Sequence, residues 1–130
     1  MHYAVGDDTG FEPHPLTAPQ VAALAAKVGE RYPVYELLVL FMAYTGLRAA
    51  EVQGLEVRDL VLTTGPDGQT RGSVRVQRTK SRRRREWVTG TPKSKASKRT
   101  VPLPPWLAAR LAAYLQLTHP HADNPTAVLW

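Results

Sequence analysis

Arg48 and Glu51 stand three residues apart, just after an apolar run that ends in Gly46, and that spacing lets their side chains touch on one face of a new helix. An arginine in a first helical turn is poorly placed against the helix dipole, which favours acids there, so its presence asks for a reason other than helix stability. Two readings stand at this point. Glu51 can satisfy a half-buried Arg48 as a structural pair, or the guanidinium can be held for an anion. Guanidinium is permanently charged and offers a planar fork of donors that grips two phosphate oxygens. A polyanion is also what the charge distribution asks for. Residues 71 to 99 hold twelve of the seventeen Lys and Arg and a single acid, Glu86, a net charge of +11; the remainder carries five basic and ten acidic residues, a net charge of −5. Asymmetry of this size on one short segment points to nucleic acid first.

Pattern along the chain indicates the helices and strands that carry these groups. Residues 1–16, with two glycines, two prolines and two aspartates and no periodicity, read as a flexible arm or interdomain linker. Thr17-Ala18-Pro19-Gln20 is a capping box, Val21, Leu24, Ala25 and Val28 continue at helical spacing, and Gly29 is expected to stop the helix. Pro33 opens a second, apolar helix that carries one charge in the ten residues from Tyr35 to Tyr44 and is too short to span a bilayer. Gly46 ends it in the left-handed conformation, and Leu47, Val52 and Leu55 share the inward face of the next helix.

Leu55 to Leu62 passes from helical spacing into a short strand, and Gly65-Pro66-Asp67-Gly68 is a turn by composition. Residues 73–78 alternate, one face on a core and one presenting arginines to solvent. Lys80 to Arg85 reads as a hairpin tip with residues 86–90 returning as the partner strand, and a third strand runs over residues 99–103. Trp106, Leu107, Leu111 and Leu115 form the apolar side of a last helix of about three turns, and residues 119–125 form a loop.

Thr45-Gly46-Leu47-Arg48-Ala49-Ala50-Glu51-Val52 resembles the first box of the tyrosine recombinases, the phage integrase family. In that family the arginine binds the scissile phosphate and the acid three residues on supports it, which would make Arg48 catalytic and Glu51 its support. Pro92 to Pro104 resembles the family's β-hairpin, where a lysine, a few small polar residues, an arginine and Thr-Val-Pro-Leu recur. The resemblance implies that Lys93 enters the minor groove and protonates the departing 5′-oxygen, with Lys95 the neighbouring alternative. Lysine suits that task because a partly desolvated ammonium beside a phosphate can release a proton that guanidinium cannot.

A solvated basic loop that contacts phosphates without catalysis is the better reading for Lys95 and Lys98. Arg82, Arg83, Arg84 and Arg85 could be a localisation signal or a solvated tip; on a hairpin facing DNA they would neutralise phosphates without base specificity, as would Arg99. Glu56 and Asp59 could be imagined as a metal pair, although helix capping is the commoner use of acids so spaced. His119 and His121 flank a proline and read as loop residues. The family's His-x-x-Arg box is not found here, and none of the tyrosines (Tyr3, Tyr32, Tyr35, Tyr44 and Tyr114) matches the nucleophile's setting.

The fold class expected is therefore α+β, helices packed on a small antiparallel three-stranded sheet, with residues 17–130 the N-terminal portion of a truncated integrase catalytic domain. The resemblance implies DNA recombination and integration through a phosphotyrosyl intermediate, with no ATP, metal or other cofactor. It further implies duplex DNA as partner, no membrane, and self-association on DNA in the full-length protein. The alternative is a non-catalytic nucleic-acid-binding module that docks through its basic hairpin. Cysteine is absent, which excludes disulfides and fits the cytoplasm. Binding of duplex DNA by this chain should fall steeply with salt, with a log–log slope of several units if half of the basic segment meets phosphate. Serine at positions 82 to 85 should weaken all sequences about equally. Titration of a labelled duplex at two salt concentrations checks both, and a salt-insensitive affinity would contradict them.

Overall fold

Thr17 starts the first helix as its capping pattern requires: its hydroxyl accepts from the Gln20 amide at 3.3 Å while the Gln20 side chain accepts from the Thr17 amide at 2.8 Å. The computed structural model describes residues 16–83, 86–90 and 98–130, and in it α1 spans Ala18–Arg31. The helix does not stop at Gly29. That glycine lies where α2, Pro33–Thr45, crosses closest, and a Cβ there would collide with the Glu36 carboxylate, so the residue is used for helix approach rather than for termination. Pro33 occupies the first turn of α2, and Gly46 ends it at φ 69°, its amide donating to the Met42 carbonyl at 3.0 Å.

Beyond Gly46, Leu47 is buried, and Arg48 takes an extended backbone as the N-cap of α3, Ala49–Gln53. Arg48 thus precedes the helix instead of opening its first turn. A single 3-10 turn, Val57–Asp59, leads into β1, Leu60–Thr64. After the turn at Gly68, β2 runs over Thr70–Val76, β3 over Thr79–Arg83, β4 over Glu86–Gly90 and β5 over Arg99–Leu103; α4 closes the order at Pro105–Leu117.

The architecture is α+β around an antiparallel three-stranded sheet ordered β1-β2-β5, with β3 and β4 forming a separate two-stranded hairpin. The expected pairing of β2 with residues 86–90 does not form. Val74 lies opposite Leu60 on one side and Val101 on the other, so both edges of β2 are taken within the main sheet. The ladder breaks at Gln77 and Arg78, whose side chains both turn to Asp59. Lys80, Arg82 and Arg83 therefore lie in strand β3, Arg83 opposite Glu86, while Arg84 and Arg85 lie outside the described residues.

Phe41 of α2, Val74 and Val76 of β2, Leu107, Ala108 and Leu111 of α4, and Leu129 are fully buried together and form the core between helices and sheet. Each large apolar side chain so buried contributes about 1.5–3 kcal/mol. Trp106, expected inside, is 43% exposed and meets Tyr44 edge-on at 5.0 Å; Ala108 joins Leu107 and Leu111 on the inner face instead. The last residues pair back along the α3 exit: Leu129 donates to Leu55, and Val57 to Ala127. No helix among the described residues is long and apolar enough to cross a membrane.

Asp59, fully buried, receives Arg78 Nη1 at 2.5 Å, Gln77 Nε2 at 3.0 Å and the Glu56 amide at 2.8 Å. The Glu56 and Asp59 pair is thus a cap at the 3-10 turn, as the capping reading held. Asp59→Ala would strand the Arg78 guanidinium, 16% exposed, and should cost about 3 kcal/mol of unfolding free energy. Asp67→Ala removes a pair with Arg71 in which both side chains are more than half exposed, and should be nearly silent. Urea denaturation of both variants checks this, and equal midpoints would contradict it.

Candidate phosphate-binding site and nucleic-acid interface

Alternation along the strands decides where the arginines go. In β2, Val74 and Val76 point into the core and Arg75 out; Arg78 keeps the inward phase. In β5 the inward set is Arg99, Val101 and Leu103, with Thr100 and Pro102 outside. Two arginines are therefore driven toward the interior at strand ends, where a charge is tolerated only if it is paired. The two buried acids of the described residues answer them: Asp59 takes Arg78, and Glu51 takes Arg99.

Glu51, 4% exposed, accepts from Arg99 Nη1 on Oε2 at 2.8 Å and from Arg99 Nη2 on Oε1 at 3.2 Å. Its Oε1 also accepts the backbone amide of Arg48 at 2.9 Å. Glu51 therefore holds Arg48 by its main chain, and the guanidinium partner of the carboxylate is Arg99, so the expectation that the two side chains of the first box pair with each other gives way to a three-residue arrangement. The Arg99 guanidinium, followed by the Arg48 amide, holds the Glu51 carboxyl below its ordinary value of 4.5 although burial pushes the other way. Arginine cannot accept a hydrogen bond, so it makes a poor N-cap, costing about 1 kcal/mol against Ser or Asp. Arg48 holds the place against local preference.

The consequence is electrostatic. The Arg48 side chain is exposed and has no ion-pair partner among the described residues; it acts on the Glu51 carboxylate only at a distance and less strongly than Arg99, which pairs with it directly. A cation in that state is available to an anion from solution. Strand β3 lies against α3, and Lys80 shares a cleft with Ala49, Val52 and Gln53. Lys98 is exposed next to Arg99. Lys93 and Lys95, like Arg84 and Arg85, lie outside the described residues.

The four tyrosines among the described residues have local partners, and Tyr3 lies outside the described residues. Tyr114 donates its hydroxyl to the Leu129 carbonyl at 2.8 Å and stacks on Trp130 at 5.1 Å, and burial raises its pKa. Tyr32 and Tyr35 stack at 5.5 Å on the surface, and Tyr44 rests on Trp106. His119 accepts from the His121 amide and bonds the Val128 carbonyl, a loop role for both histidines. No cluster of ligating side chains among the described residues could hold a metal ion.

The chain is 32% identical over 114 residues, 88% of its length, to an integrase of Mycobacterium phage FRAT1, and 33% identical over 114 residues to the integrase of Mycobacterium phage L5. The fold matches the Tn1549 transposon integrase in complex with transposon right-end DNA at a TM-score of 0.68, with 19% identity, covering 87% of this chain and 34% of that one. It matches the same integrase in complex with circular intermediate DNA at 0.65, covering 85% and 34%. This chain is integrase-like in both sequence and fold. The resemblance carried by Thr45 to Val52 thus extends over most of the sequence, and the α+β expectation agrees with the fold of the integrase relatives. No family model matches the chain. The chain spans 32% of the FRAT1 integrase and 29% of the L5 integrase.

The Arg99 guanidinium, expected among the phosphate contacts, pairs with the buried Glu51. The signal in the sequence is its phase with Val101 and Leu103, which turns it inward. Because the folded pKa of Glu51 is depressed, the stability it brings is present above its unfolded value and is lost as pH falls through the lower folded value. Glu51→Gln should therefore be less stable than the parent at neutral pH, and the two should converge as pH falls through the lowered folded-state value of Glu51. Thermal unfolding from pH 7 down to pH 3 checks this; parallel curves would contradict it.

Proposed function

We propose that this chain supplies the first-box arginine and the basic hairpin of an integrase that cuts and rejoins duplex DNA. The observation that carries the reading is the exposed Arg48 guanidinium, left without a partner among the described residues while Arg99 neutralises the adjacent carboxylate. In this reading residues 17–130 are the N-terminal portion of the catalytic domain and residues 1–16 its linker. Arg48 grips the non-bridging oxygens of the scissile phosphate, where charge grows as the phosphorus becomes five-coordinate. Glu51 fixes the Arg48 turn. A tyrosine elsewhere in the parent protein attacks phosphorus, its oxygen forms the 3′-phosphotyrosyl bond, and the bond to the 5′-oxygen breaks. Lys93, or Lys95 two residues on, gives that departing oxygen its proton. Arg82 to Arg85 and Lys98 neutralise flanking phosphates.

The work is done in the cytoplasm, by copies that associate on DNA, and without metal or nucleotide. The tyrosine and the His-x-x-Arg box belong to the remainder of the parent, so the present chain forms no covalent adduct with DNA. A non-catalytic module is the rival, and the separate β3–β4 hairpin would suit docking alone.

Cleavage of a 5′-bridging phosphorothiolate by the parent enzyme separates the roles. Sulfur leaves without an acid, so Lys93→Ala should be rescued on that substrate while Arg48→Ala should not, its loss being about 3 kcal/mol or more of transition-state stabilisation. Rescue of Lys95→Ala instead would move the acid two residues along. Rescue of neither lysine variant would leave the segment a docking element.

A further inference from the structure

One carboxylate joins two distant pieces of the chain. Glu51 Oε1 holds the Arg48 amide at 2.9 Å, and both Glu51 oxygens hold the Arg99 fork at 2.8 and 3.2 Å across 48 residues of sequence. Arg99 is the first residue of β5, locked in register opposite Val76, and directly succeeds the basic stretch that ends at Lys98. We infer that Arg99 is a positioning residue: acting through Glu51, it fixes the turn from which Arg48 reaches phosphate and ties the end of the basic segment to that turn. The inference rests on the phosphate-binding reading of Arg48.

Two features of the geometry favour positioning over a direct contact with DNA. The terminal nitrogens of Arg99 are directed at Glu51 and its side chain is 34% exposed, so turning the fork to a phosphate would leave an ionised, buried carboxylate without its main partner. A fork can hold both carboxylate oxygens at once, which fixes the plane of the carboxylate and so the direction from which Oε1 meets the Arg48 amide. A lysine at 99 would keep the charge and lose that plane.

A double-mutant cycle on duplex binding by this chain tests the inference, with the salt slope as second readout. Arg48→Ala should lower the log–log slope by about one, the mark of one lost phosphate contact. Arg99→Ala should weaken binding roughly fivefold when Arg48 is present and have no further effect when Arg48 is already alanine, because its influence passes through that residue. Arg99→Lys guards against misfolding of the alanine variant: its loss should be smaller and should vanish equally in the Arg48→Ala background. If the Arg99 and Arg48 losses add, with a further drop of about one in slope, Arg99 is an independent phosphate contact and the inference is overturned. If the Arg99 variants weaken binding by the same factor with and without Arg48, the role is general stability and the inference is likewise overturned. An Arg48→Ala chain that binds as the parent does overturns the underlying reading first, and shows it without any Arg99 variant.

Discussion

An arginine on the core face of a strand must find an acid, and this fold is arranged around two such demands. Burial of a lone guanidinium costs several kcal/mol, far more than a small domain can spare from a stability of about 5–15 kcal/mol. Arg78 and Arg99 both sit in phase with buried valines or leucines, and each reaches out of the sheet to an acid on the helical side. The Asp59 pair ties the exit of β2 to the 3-10 turn and, through the bond from Arg78 Nη1 to the Gly54 carbonyl, to the end of α3. Gly54 has to be glycine for that approach, since a Cβ there would meet the Arg78 carbonyl at 2.7 Å. The Glu51 pair ties the start of β5 to the start of the same helix. A helix of five residues, too short to be stable by itself, is thus held at its start by the Glu51–Arg99 ion pair and at its end by the Arg78 hydrogen bond to Gly54.

The proposed function uses the charge that the clamps leave over. Three arginines, Arg48, Arg78 and Arg99, lie around α3, and the two buried acids take the two inward ones. Arg48, at the helix N-terminus, keeps its charge for solvent or for a ligand. Its exposed guanidinium has no ion-pair partner among the described residues. The hairpin of β3 and β4 leaves the main sheet where Arg78 turns inward, and lies alongside α3. Of the two readings of Arg48 and Glu51 open on sequence alone, the structural pair is made with Arg99 instead, and phosphate binding is the role proposed for Arg48.

Much of this frame is legible in the sequence because local rules decide it. Thr17 to Gln20, Pro33 and Gly46 mark helix ends by chemistry that needs no tertiary partner, and the structure agrees at each. Gly29 misleads because a glycine inside a helix costs only about 1 kcal/mol, which the crossing of α1 and α2 at Glu36 can offset. Strand pairing is harder to read. Alternation reports which face is inward but not which strand lies alongside, and the basic run looks like the tip of a hairpin begun at β2. The break at Gln77 and Arg78 is invisible to periodicity, since Arg78 keeps its phase while its side chain leaves for Asp59. Arg99 misleads for a related reason: its type suggests DNA, while its phase with Val101 and Leu103 demands an acid.

The central claim is that Arg48 is the arginine offered to phosphate and Arg99 the one held in reserve for structure. Side-chain Nη–Hη resonances of the two arginines, monitored by NMR during titration with a short duplex, test it most directly. The account predicts that the Arg99 signal is slow to exchange with water before DNA is added and barely moves, while the Arg48 signal is fast to exchange at first, then shifts and becomes protected on binding. A shift and new protection at Arg99, with Arg48 unchanged, would contradict it.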